Sequence, residues 1–206
     1  MSANEAQERI ARWLLRIGKE RATAWSMVVR LRNEDPFTNM LWKAFLSTNL
    51  GDSFATAKIE EIKRRASRAE SVFDFLNRRY EEGDLEKLME ELGPEFRKGI
   101  GRRMIDAVKR LIELEREFNV RSGALDKDAM NRLYEQLKSG KVPGIGDLLA
   151  HHIIYDLIRL FGFPVPDKLG PPAKLVERLR LLGFKEPEKV FRPEDWPYVD
   201  IAVWDL

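Results

Sequence analysis

The chain has 206 residues, of which 44% are hydrophobic and 34% are charged, and it contains no cysteine. This composition suits one large domain or two closely packed lobes, and it excludes a chain that is disordered throughout. The missing cysteines exclude disulfides, thiolate nucleophiles, zinc–thiolate sites and cysteine-ligated iron–sulfur clusters.

The 36 basic and 34 acidic residues leave a formal charge of only +2, so any nucleic-acid-binding surface must be local. One candidate is the stretch 95–110, which carries six basic and two acidic residues; a solvated helix face is the alternative. No apolar run approaches the roughly 18 residues of a membrane span, and the N-terminus has no signal pattern. We therefore expect a soluble, cytoplasmic protein with no membrane contact, and the share of charged residues is compatible with a thermophilic source.

Apolar residues recur at spacings of three and four, which predicts an all-α chain. Asp35 before Pro36 predicts a helix start, and the helix over 37–48 carries its apolar residues on one face. Gly51-Asp52-Ser53 is expected to break the chain before the next helix. Further helices are predicted at 54–66, 71–82, 85–92 and 102–118.

In the second half, Asp126 is expected to cap a helix that ends near Lys138. A strongly apolar helix follows at 147–161 and stops at Gly162. Pro171-Pro172 begins another helix that ends near 182–183, and the segment 193–198 leads into a short apolar helix at the C-terminus.

The sharpest local feature is the turn Val142-Pro143-Gly144-Ile145-Gly146. Gly144 and Gly146 permit left-handed backbone angles and leave no side chain between a ligand and the backbone. The helix that begins at Asp147 leaves its first amides unpaired, so the turn predicts a site for one phosphate oxygen. An ordinary connection without ligand is the alternative, and the Asp147 carboxylate could itself cap those amides.

Two neighbours of the glycines complete this expected site. Ile145 is expected to pack into the core and fix the turn. Lys141 adds positive charge close in sequence. Such a turn grips the phosphate backbone and reads no base sequence.

At this point the sequence resembles the helix-hairpin-helix superfamily of DNA glycosylases, of the endonuclease III and alkyladenine glycosylase types. The segment 142–150 resembles the family hairpin, and Asp167, nineteen residues after Leu148, falls where the family has its catalytic aspartate. The segment 47–52 is similar to a block whose polar third residue enters the duplex, and 101–108 resembles a helix start that follows a glycine. The likeness covers roughly residues 35–206.

The resemblance implies a two-lobed helical fold with a cleft between the lobes. Lobe A would comprise about 36–140, lobe B about 1–35 plus 141–206, and the hairpin 139–150. It further implies a monomer without cofactor or metal that acts in the prokaryotic nucleoid on double-stranded DNA containing a damaged or mismatched base.

Two departures narrow this reading of the family. Bifunctional members have a lysine at the position of Leu148, whose amine forms a Schiff base with the sugar, and leucine cannot do this. The family's four-cysteine cluster near the C-terminus is also absent. The resemblance therefore implies a monofunctional, hydrolytic glycosylase. A non-catalytic DNA-binding protein and a lyase that uses Lys168 or Lys141 are the alternatives.

Asp167 is the expected catalytic carboxylate, because breaking an N-glycosidic bond develops positive charge on the deoxyribose. Its alternative role is a helix cap ahead of Gly170. Asn49 and Leu50 are expected to fill the gap that a flipped base leaves in the duplex. The tentative base pocket, with core packing as the alternative, comprises Trp42, Leu148, His151, His152 and Tyr155.

Overall fold

The computed structural model describes residues 3–31, 34–46, 51–67, 69–138, 140, 142–143 and 145–204, without the side chains of Ala3, Asn4, Arg30 and Ile100. Every regular element in these ranges is helical, which confirms the predicted all-α class. None of the described helices combines the length and the apolar character needed to cross a membrane. The α-helices are α1 (Ala3–Leu31), α2 (Pro36–Leu46), α3 (Gly51–Arg65), α4 (Val72–Glu81), α5 (Leu85–Leu92), α6 (Gly99–Phe118), α7 (Lys127–Lys138), α8 (Asp147–Phe161), α9 (Ala173–Leu181) and α10 (Trp196–Val203).

The chain forms two compact units, each discontinuous in sequence. Unit 1 comprises Met1–Glu34, Gly123–Tyr134 and His151–Leu206, and unit 2 comprises Asp35–Ser122 and Glu135–Ala150. These bounds differ from the expected lobes at two places. Most of α7 belongs to unit 1, and the turn before α8 belongs to unit 2. Helical periodicity marks which face of a helix is buried but not which neighbour covers it.

Unit 2 is built around α2. The predicted apolar face of this helix is buried, and Thr38 and Asn39 between those positions are buried as well, so the first two turns of α2 are enclosed on all sides. The predicted cap is confirmed, because the Asp35 carboxylate accepts a hydrogen bond of 2.7 Å from the Thr38 amide. Both α3 and α6 pack on this central helix.

Two helix starts in unit 2 differ from the prediction. Gly51 is the first residue of α3, with φ +82°. The segment 51–53 therefore belongs to the helix and does not form the predicted break before it. Helix α6 begins at Gly99, ahead of the predicted start at Arg102. A Cβ on Gly101 would overlap the carbonyl of Glu95, so this glycine allows the first turn of α6 to lie directly against the short 3₁₀ turn at Pro94–Arg97.

Unit 1 combines α1 with the C-terminal helices. The first turns of α10 lie so close to α1 that a Cβ on Gly18 would overlap the backbone of Tyr198. Further along, Arg21 donates hydrogen bonds of 3.1 and 3.3 Å to the carbonyls of Ile201 and Ala202. The long N-terminal helix is thereby fixed to the end of the chain.

A buried guanidinium ties α8 to α10. Arg159 is 5% exposed, donates to the Asp156 carboxylate and donates to the Pro197 carbonyl at 2.8 Å. The Asp200 carboxylate lies 3.6 Å away. Buried ions of opposite sign in contact offset part of the cost of removing each from water.

Candidate functional site

The turn before α8 has the apolar anchor that the sequence predicts. Val142 and Ile145 are 1% and 3% exposed, and the Ile145 amide donates to the Val142 carbonyl at 3.1 Å. Pro143 between them is exposed. The predicted role of Ile145 as a core anchor is confirmed, whereas Gly144 and Lys141 lie outside the described residues.

Gly146 does not use its conformational freedom. Its φ is outside the left-handed region, so Gly146 does not adopt the left-handed angle that a glycine permits. A Cβ at this position would have no atom within 4 Å, and its carbonyl accepts from the Ala150 amide at 2.9 Å. Gly146 therefore caps α8 with its backbone and leaves open space beside the first turn, where helix amides have no intrahelical acceptor.

Asp167 lies in a tight turn between α8 and α9, closed by a hydrogen bond of 3.2 Å from the Leu169 amide to the Pro166 carbonyl. Its side chain is 57% exposed. Helix α9 has Pro172 as its N-cap and no side-chain capping bond, so Asp167 does not cap it. The alternative role considered from the sequence is therefore not the one found in the structure.

The Asp167 carboxylate has two partners on α7. Lys127 contacts Oδ1 through its ammonium group. Asn131 donates from Nδ2 to Oδ2 at 2.9 Å, and its Oδ1 accepts from the Asp167 amide at 2.8 Å. The hydrogen bond from Lys127, followed by that from Asn131, lowers the pKa of Asp167. The pKa of Lys127 is raised by the same contact, so the pair is charged at neutral pH.

Neither partner is predicted by the sequence. Lys127 and Asn131 are four residues apart and therefore share a face of α7. This polar spacing is visible in the sequence. Nothing local indicates that the face meets a loop 36 residues downstream of Asn131.

A buried aromatic cluster anchors the same loop in unit 1. The Tyr134 hydroxyl and His151 Nε2 are 2.9 Å apart, and His151 packs edge-on against Tyr155. Tyr155 donates to the Gly170 carbonyl at 2.9 Å, three residues beyond Asp167. For His151 and Tyr155, which are 2% and 0% exposed, the structure favours the packing alternative over a base pocket.

The other pocket candidates have mixed environments. Trp42 in unit 2 is 8% exposed and donates from Nε1 to Thr56 at 3.2 Å, which also favours packing. Leu148 is half-buried. In unit 1, His152 Nε2 lies 3.4 Å from the Asp200 carboxylate but is not aligned for a hydrogen bond, and its ring meets Trp204 edge-on. Asn49 and Leu50 lie outside the described residues.

The basic stretch 95–110 divides into two groups. Arg102 and Lys109 both bind Glu86, and Arg110 binds Glu113. The other three cations are exposed and form no ion pair with any residue that the structure describes. They are Arg97, Lys98 and Arg103.

These three cations, which we call the α6 basic cluster, surround the start of a 20-residue helix with no acidic residue in its first turn. The described part of the chain contains no group of three or more histidine or acidic side chains placed to hold a metal ion.

No protein-family model, curated protein or solved structure matches the chain.

Proposed function

We propose that this chain is a DNA glycosylase, with a two-lobed helix-hairpin-helix fold, that hydrolyses the N-glycosidic bond of a damaged or mismatched base. The proposal depends chiefly on Asp167. This carboxylate is exposed and ionised, is fixed in direction by Asn131 and does not cap the following helix. A carboxylate with these properties can serve a ligand that takes the place of its exposed partner, Lys127.

The chemistry follows from its charge. As the glycosidic bond breaks, the deoxyribose becomes electron-poor, and a negative oxygen beside it lowers the energy of the transition state more than that of the substrate. The same oxygen can orient or deprotonate the attacking water, which typically contributes about 10²–10⁴-fold. The base must first leave the stack, which favours damaged or mispaired bases.

Two features of unit 2 support duplex binding. Next to the open backbone at Gly146, the first amides of α8 can donate hydrogen bonds to one phosphate oxygen. The α6 basic cluster supplies cations that are not already neutralised by carboxylates. Both would contact the phosphate backbone and contribute no sequence preference.

The deciding experiment replaces Asp167 with asparagine and measures base release on duplexes containing uracil, alkylated purines, 8-oxoguanine or mismatches. We expect the wild type to release at least one of these bases, and Asp167→Asn to lose about 10²–10⁴-fold in rate with duplex affinity unchanged. Asp128→Asn, which removes an exposed carboxylate from α7, is the matched control. Release at the wild-type rate by Asp167→Asn would falsify the assignment.

A second candidate function is DNA binding without chemistry. It is favoured by Leu148, a half-buried hydrocarbon at the position where the resembled family has its reactive lysine. Release of any base from the lesion series excludes this candidate.

Lyase activity is the remaining alternative. It requires an unprotonated amine near Asp167, and the amine in contact with that carboxylate is Lys127. Borohydride trapping on abasic DNA, with Lys127→Met and Lys168→Met as variants, tests it. Absence of a covalent adduct in the wild type eliminates lyase chemistry.

A further inference from the structure

Asn131 makes two hydrogen bonds with one residue, Asp167. Its Nδ2 donates to carboxylate Oδ2 at 2.9 Å, and its Oδ1 accepts from the main-chain amide at 2.8 Å. Engaging the backbone and the carboxylate together prevents rotation of the Asp167 side chain. Only an amide side chain offers an acceptor and a donor side by side in this way; aspartate lacks the donor and leucine lacks both.

The second carboxylate oxygen faces a cation. Asp167 Oδ1 is in contact with the Lys127 ammonium, and both side chains are 57% exposed. Lys127 therefore marks the position at which positive charge is stabilised by this carboxylate. A sugar that develops positive charge needs the same position, and an ammonium left there would oppose it.

The turn carrying Asp167 has anchors besides Asn131. Phe163 and Leu169, on either side of it, are 4% and 3% exposed, and the Gly170 carbonyl is bound by Tyr155. These apolar and backbone anchors hold the loop on α8. What the Asn131 bonds add is the direction of the carboxylate.

We propose that Asn131 is a positioning residue for Asp167, which holds Oδ2 so that Oδ1 is presented to the electron-poor sugar, and that bound substrate displaces the Lys127 ammonium from Oδ1. This inference rests on the proposed glycosylase function. Displacement is easy because the ion pair is exposed, and exposed pairs contribute little.

The test compares Asn131→Leu, Asn131→Asp and Lys127→Met with Glu135→Gln, an exposed change on α7, as control. Two quantities are measured: the pKa of Asp167 by carbon-13 NMR titration of the free protein, and the single-turnover rate of base release with duplex affinity. Both Asn131 variants should raise the pKa of Asp167, since Asn131 lowers it in the wild type. They should also slow release about 10–100-fold with affinity nearly unchanged.

Lys127→Met separates orientation from charge. It should raise the pKa of Asp167 as well, yet it should leave the release rate at pH 8 at or above that of the wild type, because the carboxylate is still held and its competitor is gone. An Asp167 pKa and a release rate that are both unmoved in Asn131→Leu overturn the proposal, and so does a 10-fold loss of rate in Lys127→Met at pH 8. If no protein, wild type included, releases any base, the proposed function fails and the titration alone decides whether Asn131 positions the carboxylate.

Discussion

At the scale of single residues, three carboxylates show how environment sets charge. Asp167 is exposed and paired, which lowers its pKa. Glu115 in unit 2 is 3% exposed, and burial raises its pKa even though Arg121 donates to it at 3.2 Å. Glu113 on the same helix is half-exposed, and Arg110 lowers its pKa. Of the three, the Asp167 carboxylate is the most exposed and therefore the most accessible to a ligand.

The two glutamates on α6 should give opposite pH dependences. Because the pKa of Glu115 is raised on folding from its ordinary value of 4.5, its contribution to stability is lost as pH rises past that value, so Glu115→Gln should gain stability relative to the wild type at higher pH. Glu113 has a lowered pKa and contributes more as pH rises, so Glu113→Gln should lose relative stability. Urea unfolding at pH 4 and pH 7 measures both, and slopes of the same sign would contradict this account.

At the scale of the elements, close approach explains which glycines matter. Gly101 lies against the Glu95 carbonyl and Gly18 against the backbone of Tyr198, so each permits one pair of elements to touch. Gly146 has open space around it and an ordinary φ. Its absent side chain has a consequence only when a ligand approaches the backbone.

Alanine substitution at these positions should separate folding from binding. Gly101→Ala and Gly18→Ala should each lower the free energy of unfolding by about 1–3 kcal/mol, because the added methyl group forces backbone apart. Gly146→Ala should leave stability nearly unchanged but weaken duplex binding by about 1.5–3 kcal/mol, if one charged hydrogen bond to phosphate is lost. Chemical unfolding and fluorescence anisotropy are the measurements. Unchanged duplex affinity in Gly146→Ala would remove the turn from the DNA interface.

The bounds of the helices were predictable where the sequence has residues that cap or terminate a helix. Asp35 and Asp126 cap their helices as expected, and Gly162, with φ +76°, follows the end of α8. The starts of α3 and α6 were not predictable in this way, since Gly51 and Gly99 open helices with positive φ angles of 82° and 58°. A glycine between two helical segments ends one or begins the next, and only packing decides which.

At the scale of the whole molecule, charge is abundant and nearly balanced. In several of the ion pairs described both side chains are exposed, as in Arg78–Glu82 and Lys189–Glu186, and such pairs add little stability each. These pairs matter for DNA binding, because a cation already paired with a carboxylate contributes less to the binding of a polyanion. The exposed cations of the α6 basic cluster are therefore candidates for salt-dependent contacts.

The salt dependence of duplex binding tests this distribution. If the three cations of the α6 basic cluster each neutralise one phosphate, the logarithm of the binding constant should fall with the logarithm of salt concentration with a slope of about −3. Arg103→Ala should reduce the magnitude of that slope by about 1 for every duplex sequence. Arg102→Ala, which removes a cation bound to Glu86, should change it less. Equal effects of the two substitutions on the slope would show that pairing with a carboxylate does not determine which cations contact DNA.

The resemblance to the DNA glycosylase superfamily singled out Asp167, whereas the sequence by itself determined the helical class, the caps and the apolar anchor at Ile145. These depend on spacing along one chain segment, which is a local property. Only the tertiary structure decided what surrounds that carboxylate. Lys127 and Asn131 reach it from α7, and His151 and Tyr155 are used for packing, because contacts between distant segments depend on how helix faces pair rather than on any local pattern.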